Sequence, residues 1–118
     1  MAKPDSLGQF EQLVLTAILN LRDDAYGVTI QAKVSELAHP KPISLGAVYV
    51  TLDRLEDKGL VVSWLSEPTP ERGGRAKRCY RLEALGERAL QESAVTAKRI
   101  WDTVSEALGK DWVKGWSR

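Results

Sequence analysis

Four cations crowd one short stretch of this chain, Glu71-Arg72-Gly73-Gly74-Arg75-Ala76-Lys77-Arg78. Arg72, Arg75, Lys77 and Arg78 against Glu71 give it a local charge of +3, whereas the whole 118-residue chain carries only +1. The remainder is therefore slightly acidic. Gly73 and Gly74, between two arginines, let the backbone approach a partner closely. Guanidinium and ammonium groups on such a loop suit phosphate oxygens, and each phosphate neutralised adds salt dependence to binding. The same residues would serve as a plain solvated turn, so the loop takes its meaning from what lies beside it.

Upstream of that loop stands SLGAVYVTLDRLEDKGL, Ser44 to Leu60. Leu45, Val48, Leu52 and Leu55 recur at steps of three and four, which stacks them on one face of a helix. Ser44 can cap its start and Gly59 can turn its end. The other face opens with Gly46, Ala47, Tyr49 and Val50, where a surface helix normally shows charge. Small residues beside one aromatic permit close approach to a grooved surface. Asp53, Glu56 and Asp57 follow in the far half and would repel phosphate. A helix that reads DNA touches bases mainly with its N-terminal residues, so acids at the far end need not enter the groove. On this reading Gly46, Ala47, Tyr49 and Val50 meet base edges, Ser44 and Arg54 lie near phosphates, and Arg72, Gly73, Gly74, Arg75, Lys77 and Arg78 anchor the loop.

Catalytic and metal chemistry find little support. His39 is the single histidine and sits beside Pro40 in a turn. No phosphate-loop pattern, metal-ligand spacing or nucleophile–base pair is present, so neither a catalytic residue nor a cofactor is expected. Cys79 is the single cysteine, which excludes an internal disulfide. Neighbouring cations Lys77, Arg78 and Arg81 could activate its thiol; an inert, partly covered thiol is the plainer alternative. An apolar fraction of 43% fits a globular domain. No apolar run reaches the roughly 20 residues a membrane helix needs. The first residues lack a signal peptide's apolar centre, so a cytoplasmic protein without membrane contact is expected.

The elements that must hold these residues follow in order. Leu7 to Leu21 predicts an amphipathic helix with Phe10, Leu13, Val14, Ala17, Ile18 and Leu21 inward and Ser6 as cap. Arg22-Asp23-Asp24 is a polar break, in which either aspartate can cap a second helix, Tyr26 to Ala38. Its candidate buried residues are Val28, Ile30, Val34, Leu37 and Ala38. Pro40 and Pro42 end it. After the central helix, Leu60 to Glu67 predicts a strand, with Trp64 packed in it. Pro68 to Ala76 predicts a loop. Lys77 to Glu83 predicts the returning strand, with Tyr80 and Leu82 inward. Three helices and then a hairpin with a basic tip is the order of a winged helix-turn-helix. The expected fold is thus α+β, mainly α. Residues 1–83 form the winged, DNA-binding part, and residues 84–118 form a long C-terminal helix and tail.

In that helix Leu90, Ala94, Ala97, Trp101, Val104 and Leu108 keep a seven-residue repeat, widened by Ile100 and Ala107. This spacing suits a helix packing along another helix. The preceding elements already supply a core, so a homodimer is expected, with half-sites about one or two turns of roughly 34 Å apart. Trp101 serves either as interface core or as a platform for a planar, apolar ligand. Trp112 and Trp116 follow in the tail.

These residues carry a resemblance. Residues 46–61, GAVYVTLDRLEDKGLV, resemble the recognition-helix signature of the PadR family of transcriptional regulators through Gly46, Tyr49, Leu52, Leu55, Gly59 and Leu60. Tyr26-Gly27 followed by Ile30 is similar to the family's second-helix start. RGGRAKRCYRLEALGERAL, 72–90, is similar to its wing through Gly74, Arg75, Lys77, Tyr80, Leu82 and Gly86. Val50 stands where the family commonly has proline, and Glu83 where it has threonine; these departures bear on operator choice more than on fold. The resemblance implies a homodimeric repressor of double-stranded DNA, dimerised through its C-terminal helix. The single short C-terminal helix is similar to the smaller subgroup, in which some members release DNA when a flat hydrophobic effector binds at the dimer interface; Trp101 would take that role. Two other classes stay open on the residues. A winged-helix protein-interaction module would bury Tyr49 and Val50 in an apolar patch. A ligand sensor without DNA would need an apolar cavity around Trp101.

Overall fold

The computed structural model describes residues 7–68, 73 and 75–109. Helices α1 (Gln9–Leu21), α2 (Gly27–Ala38) and α3 (Leu45–Asp57) precede strands β1 (Val61–Leu65) and β2 (Arg78–Leu82), and α4 (Ala84–Leu108) closes the order. A single 3-10 turn, Arg22–Asp24, joins α1 to α2. The strands pair antiparallel with Ser63 opposite Tyr80 and Leu65 opposite Arg78. This is the winged helix-turn-helix expected from the element order.

The core lies where α1, α2 and α3 meet the inner face of the hairpin. Val14, Leu15 and Ile18 of α1, Ile30 and Val34 of α2, Val48, Leu52 and Leu55 of α3, and Tyr80 and Leu82 of β2 are all buried in it. The helical spacing of three and four thus turns one face of each helix inward.

The helix ends depart from expectation in informative ways. α1 starts at Gln9, two residues later than Leu7, with Gly8 as its cap; Ser6 lies outside the described residues. The Gly8 N–H donates to Glu11 Oε1 at 2.9 Å, and the other oxygen of the same carboxylate accepts from Lys58 Nζ at 2.8 Å. Lys58 is the C-terminal cap of α3. One nearly buried carboxylate therefore ties the start of the first helix to the end of the third. Neither Asp23 nor Asp24 caps α2. Thr29 does that work from inside the helix: its Oγ1 accepts from the Tyr26 N–H at 3.0 Å and donates to the Asp24 carbonyl. Four apolar residues expected inside are exposed, namely Val28, Leu37, Leu45 and Trp64. The first three sit at the edges of stripes whose centres already fill the core. Trp64 lies on the outer face of the hairpin, with the Arg81 guanidinium 5.4 Å above its ring.

Strand alternation also fails at one place. Cys79 is buried although Tyr80 beside it is buried too. The cause is a short backbone strip before α2, where Tyr26 bridges to Cys79 and the Tyr80 N–H donates to the Ala25 carbonyl at 2.9 Å. That strip covers the face of β2 that the sequence alone left open. The thiol is enclosed, as the plainer reading had it.

α4 runs between the expected limits, Ala84 to Leu108, and Gly109 ends it at a φ of 82°. Among the described residues, no helix is long and apolar enough to cross a membrane.

Burial opposes a charge on Glu11, but the hydrogen bonds from Lys58 and Gly8 and the nearby charges of Lys58 and Arg54 outweigh it, so its pKa is lowered from 4.5. A depressed carboxylate stabilises the fold at any pH above its unfolded value, and that stabilisation is lost as pH falls through the folded value. The expected result is a Glu11→Gln variant less stable than the parent at pH 7, with the gap closing below about pH 4. Urea midpoints measured for both chains from pH 7 down to pH 3 check this; a gap that stays constant shows that the Glu11 charge contributes nothing.

Candidate nucleic-acid interface

The turn after Ala38 delivers the chain to Ser44, whose Oγ accepts the Ala47 N–H at 3.1 Å and sets the first turn of α3. Val48, Leu52 and Leu55 are wholly buried, and that burial fixes how the helix is rotated about its axis. Gly46 and Ala47 consequently face outward, as do Tyr49, 42% exposed, and Val50, 58% exposed. No charge interrupts this face between Ser44 and Thr51. Arg54 is exposed one turn further on.

Tyr49 is half exposed yet has a defined resting place. A methyl group added to Gly27, the first residue of α2, would fall on the Tyr49 hydroxyl, with ring atoms Cζ and Cε1 at 2.5 and 2.9 Å. The phenol therefore lies against bare backbone at the start of α2.

The wing carries its cations in three different settings. Arg72 and Gly74 lie outside the described residues. Gly73 is exposed with a φ of 64°, a conformation natural to glycine. Arg75 is exposed. Lys77 closes the loop: its N–H donates to Ser66 Oγ at 3.1 Å, and its carbonyl accepts the Ser66 N–H at 2.8 Å. Its ammonium stands 4.0 Å from the centroid of the Tyr26 ring, a cation–π contact that leaves the charge in place while limiting its swing. Arg78 is engaged elsewhere. Its Nη1 donates to Ser63 Oγ at 3.0 Å, and that hydroxyl donates to Glu56 Oε2 on α3 at 2.8 Å. Arg78 thus faces the acidic end of α3.

Tyr80, on the strand between, has its phenol pushed above its ordinary 10.0 by burial. Arg78 opposes that shift, and Asp53, Glu56 and Tyr49 on α3 add to it. Charged and polar groups of α3 and of the wing strand therefore act on the same buried ring.

Sequence reading singled out the tyrosine on α3 and the wing cations but missed what aligns them. Tyr26, Gly27, Ser63 and Ser66 went unassigned to the site. One signal was available: a glycine at the first position of a helix gives up helix propensity, which marks close approach by another group.

Beyond this surface, α4 leaves the body of the domain. Leu90 is packed against the core, and Gly86 is buried at the helix base. On the same face further along, Ala94 and Ala97 are exposed, Trp101 is 49% exposed and Leu108 65% exposed, with Val104 half-buried between them. The face that seals the subunit's own core thus continues outward as a partly exposed apolar stripe.

Against known proteins, the model of the transcriptional regulator PadR-like family matches residues 14–92. The chain belongs to this family. Its members are transcription regulators rather than enzymes, and membership implies DNA binding. A PadR family transcription regulator from hypervirulent Clostridium difficile R20291 has 24% sequence identity and a TM-score of 0.70, over 86% of this chain and 100% of that one. A PadR family transcriptional regulator from Eggerthella lenta has 28% identity and a TM-score of 0.64, over 83% and 82% of the two chains. PcaV, a transcriptional regulator from Streptomyces coelicolor solved with its natural ligand, shares the fold at 18% identity and a TM-score of 0.73, over 95% of this chain and 70% of that one. No curated protein matches the chain.

Because one hydroxyl sets the first turn of α3, Ser44→Ala is expected to lower stability by about 1 kcal/mol. Ser44→Asp should restore most of it. Chemical denaturation of the three chains checks the order; an unchanged midpoint in Ser44→Ala removes the cap from the account.

Proposed function

We propose that this PadR family regulator is a cytoplasmic, homodimeric repressor that reads a two-fold symmetric operator with α3 and steadies itself on phosphates with its wing. The observation that carries this reading is the uncharged outer face of α3, rotated out by three buried side chains, beside a wing base whose cation is held by stacking. Residues 1–83 would be the DNA-binding unit and 84–118 the dimerisation helix and tail. Gly46, Ala47, Tyr49 and Val50 would meet base edges, with Ser44 and Arg54 near the backbone. Arg72, Arg75 and Lys77 on the Gly73-Gly74 loop would take phosphates. Arg78 would reach a phosphate only by leaving Ser63.

The exposed apolar stripe on α4 supports the dimer. It prolongs the subunit's own core, so a second copy laid along Ala94, Ala97, Trp101, Val104 and Leu108 would extend one continuous apolar layer. Leu90 would stand at the junction of the two. A planar, hydrophobic effector would then meet Trp101 at the two-fold axis and release DNA. The ligand-bound state of PcaV supports only the general compatibility of this fold with ligand control.

Selection of bound sequences from a random duplex pool tests the reading. Enrichment of an inverted repeat is expected, and a pool that stays random sinks it. Against the selected duplex, Arg75→Ala should weaken binding to every sequence and reduce the slope of log affinity against log salt by about one. Tyr49→Ala should instead lose discrimination, by roughly 1–3 kcal/mol, while keeping the slope. A slope indifferent to Arg75→Ala removes the wing from the contact.

Trp101→Lys places a charge in the seam. Sedimentation should show dimers of the parent chain and monomers of the variant at about 10 µM, with operator affinity falling by at least about tenfold because each half-site then binds alone. A parent chain that sediments as a monomer ends the dimer proposal.

A further inference from the structure

Gly27 occupies a position where its residue type needs a reason. It is the first residue of α2 and is buried. Alanine would favour the helix there. Its backbone is not in the left-handed region that calls for glycine; only Gly59, Gly73 and Gly109 among the described glycines are. What the position lacks is room, because the space a methyl would take is filled by the end of the Tyr49 side chain. The obstacle is a ring on a flexible stem. Gly86 offers the contrast: there the space is filled by the Leu60 carbonyl oxygen, which is backbone and cannot swing aside.

The neighbouring residue strengthens the point. Tyr26 holds the ammonium of Lys77 over its ring and bridges to Cys79 on the wing strand. Two adjacent residues at the start of α2 therefore touch the exposed tyrosine of the reading helix and the basal cation of the wing. A two-residue junction of this kind fixes the direction of one relative to the other.

We propose that Gly27 is a positioning residue for sequence discrimination: by having no side chain it lets the Tyr49 ring lie against α2, and so sets the direction in which that ring meets DNA. This rests on the DNA-reading role proposed above. A methyl at residue 27 pushes the ring outward, while the fold, anchored by Val48, Leu52 and Leu55, stays in place. Affinity for phosphate, which the wing supplies, is untouched.

The test uses the full chain as wild type, Gly27→Ala, Tyr49→Ala and the double variant. The readout is the ratio of affinities for the selected duplex and a scrambled duplex at one salt concentration. Gly27→Ala should lower that ratio by about tenfold, with binding to the scrambled duplex changed less than about twofold. In the Tyr49→Ala background the same glycine change should alter nothing further, because no ring remains to displace. A purely local effect on the start of α2 would act alike in both backgrounds, and that result overturns the proposal. So does a ratio unmoved by Gly27→Ala. Without DNA, the chain's three tyrosines, labelled on the ring with carbon-13, give a second measurement. Gly27→Ala should shift the Tyr49 resonance and leave Tyr80 in place; an unmoved Tyr49, or a variant that does not fold, overturns it. A wild-type chain that enriches no sequence removes the DNA reading and this proposal together. Enrichment with an unaltered Gly27→Ala ratio removes this proposal alone.

Discussion

The rotation of α3 about its own axis is the constraint from which the rest of the surface follows. Val48, Leu52 and Leu55 lose all contact with water beneath α1, α2 and the hairpin. Burying three such side chains is worth several kcal/mol, on the order of 1.5–3 each, far more than any contact made by the opposite face. A turn of the helix by one residue would expose one of them and bury Tyr49 or Val50 in its place. The outward set Gly46, Ala47, Tyr49 and Val50 is therefore determined by the core and not by its own interactions, which leaves it available for a partner. It also explains how the outer face of the first turns of α3 can do without charge: its place is already secured from below.

A chain with a net charge of +1 can carry a basic wing only if its acids are kept busy elsewhere. Among the described residues, four of them are. Glu11 takes the Gly8 N–H and Lys58, Glu56 takes the hydroxyl of Ser63, Glu36 pairs with Lys33 on α2, and Asp102 pairs with Lys98 far out on α4. The first two lie close to the acidic end of α3 and draw it toward the body of the domain. Arg78 is drawn the same way through Ser63. Charge separation along the hairpin, more than total charge, gives this protein its basic edge.

Much of this architecture is legible in the chain. Helical spacing gives all four helices and most of the buried positions of the first three, though Leu15, wholly buried on α1, falls outside the predicted stripe, and α4 ends with its last heptad position, Leu108. The departures share a physical origin in contacts between residues distant in sequence. Cys79 was assigned to an outer strand face because alternation knows nothing of the backbone strip at Ala25 and Tyr26 that covers it. Asp23 and Asp24 are good caps by type, yet Thr29 was better placed by the 3-10 turn. Trp64 is expected to pack in its strand, but the strand presents it outward under Arg81. At the site, residue type and position were enough to single out Tyr49 and the loop cations. The resting place of Tyr49 at Gly27 and the diversion of Arg78 to Ser63 depend on side-chain directions that spacing does not encode.

Leu60 shows how the stripe on α4 and the outer face of α3 are mechanically joined. Its N–H donates to the Leu55 carbonyl at the end of α3, and its own carbonyl accepts from the Glu83 N–H just before α4, both at 2.9 Å. The same carbonyl oxygen fills the space above Gly86, so the first turn of α4 lies directly on it. The end of α3, the start of β1 and the base of α4 therefore meet at one residue. In the proposed dimer, a change in the angle between two α4 helices could not be absorbed at this joint. It would be carried through Leu60 into the domain as a rigid-body rotation, moving each α3 relative to its mate. Because α4 extends about 37 Å along its axis, a few degrees at the seam translate into a shift of an ångström or more at the reading face. A ligand at Trp101 would not need to touch DNA, nor deform either domain, to alter the spacing of the two half-site contacts.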